Sequence, residues 1–249
     1  MRRFGLIGKP LTHSFSKEFF SKKFLTQQIS DAEYGLFPLK SIDELPELIE
    51  TNQALIGLNV TIPFKESVIP FLDELDPVAA EVGAVNTIKI TRTKEGVHLK
   101  GFNTDMIGFK EAIKPFLGIE HNRALIFGTG GAAKAVAYVL KQFNLSYFFV
   151  SRTIQNSNTI SYKEIDAEAI KSFRLLINTT PLGTFPNVAD MIPISLEGIS
   201  EKHLVIDLIY NPSETKLLSL AKQEKANTLN GLSMLQFQAE ASWRIWNEN

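Results

Sequence analysis

The sequence predicts an α/β protein of two domains, and three observations predict it. Short apolar runs alternate with helical patterns along the chain. A glycine turn, Gly128-Thr129-Gly130-Gly131-Ala132-Ala133, lies between one such run and a helical stretch. The length, 249 residues, is near the size at which one core begins to divide.

Phe4 to Ile7 reads as a buried strand. Lys17 to Gln27 follows as a helix with Phe19, Phe20, Phe24 and Leu25 inward, and Tyr34 to Pro38 completes a βαβ unit. A helix is expected over Ile42 to Asn52 and a strand over Leu55 to Thr61. After Pro63, Lys65 to Phe71 opens a further helix. Val85 to Ile90 and Val97 to Lys100, joined around Lys94-Glu95-Gly96, read as a hairpin. Thr104-Asp105 stands where a helix cap belongs, with Met106, Phe109, Ile113 and Phe116 following.

Arg123 to Phe127 is a short apolar strand running into the glycines. A helix over Ala132 to Phe143 and a strand over Tyr147 to Ser151 complete a second βαβ unit of roughly 30 residues, the length of a dinucleotide-binding unit. Strands at Leu175 to Asn178 and Leu204 to Asp207 extend a parallel, doubly wound sheet. Met234 to Trp246 is helical, with Phe237, Trp243 and Trp246 as core residues packing back on the first domain. The expected limits are 1–103 for the first domain, 104–230 for the Rossmann-like second domain and 231–249 for the returning segment.

Composition narrows the function classes. Hydrophobic residues at 44% and charged residues at 21% are ordinary for a globular protein. A net charge of −1 offers no broad attraction to nucleic acid. Without cysteine there is no disulfide, thiolate metal site or cysteine nucleophile, and His13, His98, His121 and His203 show no ligand spacing, so no metal is expected. The N-terminal apolar run is too short for a signal sequence and no stretch is long enough to span a bilayer, so a cytoplasmic protein without membrane attachment is expected.

In the glycine turn, Gly128 permits a tight bend, Gly130 admits a pyrophosphate to the backbone, and Ala133 allows close helix packing. A bare strand-to-helix connection is the alternative. About 20 residues past the first glycine, NAD-specific folds place an acidic residue on the ribose hydroxyl. This chain has Ser151-Arg152-Thr153 there, and a guanidinium pairs with a 2′-phosphate, which favours NADP over NAD. Lys65 and Asp105, upstream of the cradle, suggest proton transfer coupled to a cofactor. From spacing alone they read rather as a surface helix lysine and a helix cap.

Several segments, taken in order, resemble the shikimate dehydrogenase family. They are Gly8 to Ser16, Asn59-Val60-Thr61-Ile62-Pro63-Phe64-Lys65, Gly83 to Thr87, Asn103-Thr104-Asp105, Asn178 to Gly183, Asp207 to Pro212, and Gly231 to Leu235 with Gln238. The resemblance implies reversible NADPH-dependent reduction of 3-dehydroshikimate to shikimate in aromatic amino acid biosynthesis. It makes the first domain the substrate domain, with Lys65 moving the proton and Asp105 orienting its ammonium. It implies further that Ser14 and Ser16 take the substrate carboxylate, while Thr61, Asn86, Asp105 and Gln238 bind ring hydroxyls with Tyr210 nearby. The cofactor would be held by Gly128, Gly130, Gly131, Ala132, Ser151, Arg152, Thr153, Thr180, Leu208 and Gly231. His13 would shape the substrate loop, and the expected state is a monomer or homodimer.

One departure bears on the cofactor. NADP-using members commonly carry Asn-Arg-Thr and a basic residue three positions on, whereas this chain has Ser151 and Asn156. NAD use stays open, as do a quinate or dual quinate/shikimate dehydrogenase and a non-catalytic NADP-binding or metabolite-binding sensor on the same scaffold.

Overall fold

A computed structural model describes residues 1–11, 15–154 and 156–248. The chain divides into two compact units, one of Met1–Ile107 with Gln238–Asn249 and one of Gly108–Phe237.

In the first unit β1 (Arg2–Gly8), α1 (Phe15–Thr26) and β2 (Ala32–Pro38) form the expected βαβ unit. They are followed by α2 (Leu45–Thr51), β3 (Leu55–Val60), β4 (Glu74–Leu75), α3 (Pro77–Val82), β5 (Thr87–Thr93) and β6 (Gly96–Phe102). The strands make one sheet in the order β2-β1-β3-β5-β6-β4. β1 runs parallel to β2 and β3, while β5 turns back antiparallel to β3 and pairs β6 as a hairpin. On one side of the sheet Ile7, Leu45, Leu55, Leu58, Val60 and Ile88 are buried together. On the other, Phe4, Phe20 and Phe24 of the N-terminal βαβ pack with Ala239 and Trp246.

Gly57 on β3 makes that second layer possible. A Cβ there would stand 2.5 Å from the Trp246 indole, so only hydrogen lets the ring lie on the strand, where its Nε1 donates to the Ile88 carbonyl at 3.0 Å.

α4 (Asp105–Ile113) leads to β7 (Arg123–Phe127), α5 (Gly131–Gln142), β8 (Ser146–Ser151), β9 (Thr159–Ser161), α6 (Ala167–Ser172), β10 (Leu175–Asn178), β11 (Leu204–Asp207), α7 (Lys216–Gln223), β12 (Asn227–Asn230) and α8 (Leu232–Asn247). The division between the units runs through α4 and α8. The sheet of the second unit is parallel throughout, in the order β12-β11-β10-β7-β8-β9. Chain progression reverses between β7 and β10, and ligands of open α/β sheets bind at the strand carboxyl ends beside such a reversal.

Four expectations need correction. Lys65 to Phe71 is a run of turns with a 3₁₀ helix only over Ile69–Phe71. Pro70 has no N–H to give and disfavours α-helical geometry in the residue before it, so successive bonds close over three residues, Ile69 N–H to Glu66 O and Phe71 N–H to Val68 O. Leu25 is 80% exposed, because it lies about 100° around the helix from Phe24. Phe237 is 43% exposed for the same reason, its neighbours Gln238 and Ala239 taking the inward face. The helix cap is Asn103, whose Oδ1 accepts from Met106 N–H at 3.1 Å, and Asp105 is used elsewhere.

Candidate functional site

Several segments of the first unit converge on Asp105. The turn after β3 carries Lys65, whose carbonyl accepts from Val85 N–H at 2.7 Å and so ties this turn to the entrance of β5. Lys65 Nζ donates to Asp105 Oδ2 at 2.6 Å, with the side chains 17% and 8% exposed. Asn86 Nδ2 donates to the other carboxylate oxygen, Oδ1, at 2.8 Å and lies 3.3 Å from Gln238 Oε1 on α8. Asn86 Oδ1 accepts from Thr104 N–H at 2.6 Å. A backbone N–H can only donate, so it fixes which end of the amide faces Asp105. The result is an ammonium held by a carboxylate whose second oxygen is already occupied, beside two side-chain amides. Such a group can pass a proton to an oxygen placed against it while the carboxylate keeps it in position.

The structure therefore brings together four residues singled out from sequence, Lys65, Asn86, Asp105 and Gln238. Thr61 is half-buried at the end of β3, its N–H on Ile7 O at 2.9 Å, and a side chain at Gly8 would overlap its methyl. Ser16 lies inside the first turn of α1 and is buried. Ser14 and His13 lie outside the described residues. Tyr210 belongs to the second unit, half-buried in the loop after β11.

A buried polar layer that no sequence motif marks as a unit lies beneath these four. Tyr34, Asn59, Thr87, Thr104 and Ser242 are all buried and hydrogen-bonded to one another. Burial pushes the Tyr34 phenol well above its usual range, which keeps it a donor to Asn59 Oδ1 at 2.8 Å. One signal was available in the sequence: Ser242 follows Gln238 by four positions, one helical turn.

In the second unit the residues tied to the cofactor by resemblance gather at the carboxyl ends of the parallel strands. Gly128 follows β7 with φ +108, and a Cβ there would stand 2.7 Å from Thr179 Oγ1 and 3.2 Å from Thr180 Cγ2. Thr180 is fastened in turn by Asn178 Oδ1, which accepts its N–H at 3.0 Å and its hydroxyl at 2.7 Å. Gly130 is the N-cap of α5 and, being glycine, has no side chain to cap that end. A Cβ on Gly130 would meet nothing within 4 Å. Ala132 and Gly131 open the helix, and Ala133 is fully buried against the sheet. An uncapped helix N-terminus over open space suits a phosphate, so these residues fit a dinucleotide.

Leu208 and Gly231 follow β11 and β12 and meet directly. A side chain on Gly231 would overlap the Leu208 carbonyl oxygen. Ser151 ends β8, and Arg152 and Thr153 beyond it are exposed. Asn156, at the position where a base was expected, is spent locally, its Oδ1 accepting from Asn158 N–H at 2.9 Å and Thr159 Oγ1 at 3.0 Å.

Among the described residues no group of three or more His, Asp or Glu is placed to hold a metal. No described helix is long and apolar enough to cross a membrane.

The family model for the shikimate dehydrogenase substrate binding domain matches residues 6–88. Shikimate dehydrogenase (NADP(+)) of Halothermothrix orenii is 37% identical over 265 residues, covering 97% of this chain and 89% of that protein. The crystal structure of shikimate 5-dehydrogenase from Thermus thermophilus in complex with NADP(H) and shikimate has a TM-score of 0.85 at 31% identity, covering 99% of this chain and 94% of that one. Shikimate 5-dehydrogenase from Listeria monocytogenes, crystallised with shikimate and NAD, has a TM-score of 0.82 at 26% identity over 100% of this chain and 92% of its own. With identity of this order along nearly its whole length, the chain belongs to the shikimate dehydrogenase family.

Proposed function

We propose that this chain is an NADP-dependent shikimate dehydrogenase that reversibly reduces 3-dehydroshikimate to shikimate in aromatic amino acid biosynthesis. The observation that carries the reading is the 2.6 Å contact of Lys65 with Asp105, braced by Asn86 and Gln238, in a chain with NADP(+)-dependent relatives. Bound NADPH supplies the hydride for the ring ketone. In reduction the Lys65 ammonium donates a proton to the oxygen of the forming alkoxide, and in oxidation the amine takes it back. Asp105 holds that nitrogen in place. Asn86, Gln238 and Thr61 pair with ring hydroxyls, since amide and hydroxyl groups both give and receive hydrogen bonds. Ser14 and Ser16 take the carboxylate, and Tyr210 is a further substrate-binding residue.

For the cofactor, Gly128, Gly130, Gly131 and Ala132 offer backbone to the pyrophosphate. Ser151, Arg152 and Thr153 hold the adenosine end with its 2′-phosphate, while Thr180, Leu208 and Gly231 line the remainder. The substrate domain runs over 1–103, the NADP domain over 104–230, and 231–249 returns to the former. The enzyme works in the cytoplasm as a monomer or homodimer.

A second reading, a quinate/shikimate dehydrogenase able to use NAD, is favoured by Asn156, which is tied into a turn where a second cation would hold the phosphate. Turnover of shikimate and quinate, each with NADP and NAD, followed by nicotinamide absorbance, separates the two. The highest kcat/KM is expected for shikimate with NADP. Comparable values for quinate or NAD would favour the second reading, and absence of turnover with every pair would leave a binding protein.

A further inference from the structure

Ser242 lies in α8, one turn beyond Gln238, and is fully buried. Its hydroxyl oxygen is met by Asn59 Nδ2 at 2.9 Å, Thr87 Oγ1 at 2.8 Å and Thr104 Oγ1 at 3.1 Å, and its proton can go to the Gln238 carbonyl at 3.0 Å.

The donor inventory gives this cluster a direction. The Tyr34 hydroxyl donates to Asn59 Oδ1, so Asn59 must present its Nδ2 to Ser242. Ser242 thereby receives a donor it cannot return, and its oxygen stands within reach of both threonine hydroxyls. Each of those hydroxyls also lies 3.1 Å from Asn86 Oδ1. Asn86 Oδ1 is thus surrounded by the Thr104 N–H and two hydroxyls whose aim depends on Ser242. The other end of the same amide holds Asp105.

We propose that Ser242 is a positioning residue for proton transfer, acting through Thr87 and Thr104 on Asn86 and so on the Asp105–Lys65 pair. The inference rests on the reading of Lys65 as the group that moves the proton. Removing the Ser242 oxygen leaves Asn59 Nδ2 without its closest acceptor and takes from both threonine hydroxyls a partner that sets their aim, so they re-aim onto Asn86 Oδ1 and onto each other. The hydrogen bonds that set the Asn86 amide change, and small misplacement of a proton-transfer group lowers turnover much more than binding.

The test compares Ser242→Ala with Trp246→Phe. The latter removes a hydrogen bond of the same helix to Ile88 O, outside this cluster. Wild-type turnover of shikimate with NADP is measured first and tests the dehydrogenase reading on its own. Ser242→Ala is expected to lower kcat by roughly 10-fold with KM for shikimate within about 3-fold. Trp246→Phe, at a comparable loss of melting temperature, is expected to leave kcat within about 2-fold. Side-chain amide NMR of the protein without ligands gives a readout independent of activity, in which the Asn86 amide resonances move in Ser242→Ala and stay in place in Trp246→Phe. If Ser242→Ala does not fold, Thr87→Val, which deletes the adjoining hydroxyl, carries the same expectations. Unchanged kcat, a loss matched by Trp246→Phe, or Asn86 resonances indifferent to the hydroxyl would overturn the proposal.

Discussion

Lys65 Nζ stands 2.6 Å from Asp105 Oδ2 although the two residues come from a turn after a strand and from the first turn of a helix. Neither local structure requires the meeting. The helix has its cap in Asn103, and the turn is held by backbone bonds, so both charged side chains are released from structural duty. A largely buried ion pair is weak evidence for stability but strong evidence that separating its members is costly.

Asn86→Ala tests the brace on this pair. It would leave the buried Thr104 N–H, now 2.6 Å from Asn86 Oδ1, without that acceptor and free one oxygen of Asp105. A stability loss of about 1–3 kcal/mol is expected from denaturant unfolding. Turnover should fall alongside it, and a variant as stable and active as wild type would remove Asn86 from this role.

Gly231→Ala tests the close approach at the carboxyl ends of β11 and β12. The added methyl would overlap the Leu208 carbonyl oxygen, a backbone atom that can yield only if the loop shifts. A loss of about 2–4 kcal/mol is expected in melting and denaturant experiments, together with weaker NADP binding. Unchanged stability would mean that the two segments are not in contact.

Arg152→Ala tests the 2′-phosphate assignment. Loss of a charge-assisted contact worth about 1.5–3 kcal/mol should raise KM for NADP by roughly 10-fold or more while KM for NAD changes within about 2-fold. Equal effects on both cofactors would place the phosphate elsewhere.

The fold and half of the site could be read in the sequence because their signals are local. Leu175–Asn178 and Leu204–Asp207 are buried strands with the expected limits, each a continuous apolar run closed by one polar residue. The parallel edge strand Asn227–Asn230 had no such mark, being polar at three of its four positions and needing burial on neither face. Lys65, Asn86, Asp105 and Gln238 lay within recognisable motifs. Ser242 and Tyr34 did not stand out, since a hydroxyl becomes a network member only through neighbours distant in sequence. Asp105 looked like a cap because Asp and Asn share that use, and only the fold shows that Asn103 takes it.

Asp207 gives a pH test of the second unit. Burial pushes its carboxyl up to about 6 from an ordinary 3.8, against hydrogen bonds from Thr215, Ile209 N–H and Asn178 that favour the ionised form. Between those two values the unfolded chain has lost the proton and the native state keeps it, so this group's contribution to stability falls as pH rises from about 4 to about 6. The loss is on the order of 3 kcal/mol and is complete above about pH 6. Asp207→Asn, neutral throughout, should flatten that part of the stability profile measured by denaturant unfolding, and an unaltered slope would contradict the assignment.

Lys65→Ala separates proton transfer from binding most directly. With shikimate and NADP, kcat is expected to fall by about 10²–10⁴ while the dissociation constant for shikimate stays within a few-fold of wild type, as loss of a group acting in the transition state requires. Turnover retained at the wild-type level in a variant that still binds shikimate would contradict the role given to Lys65.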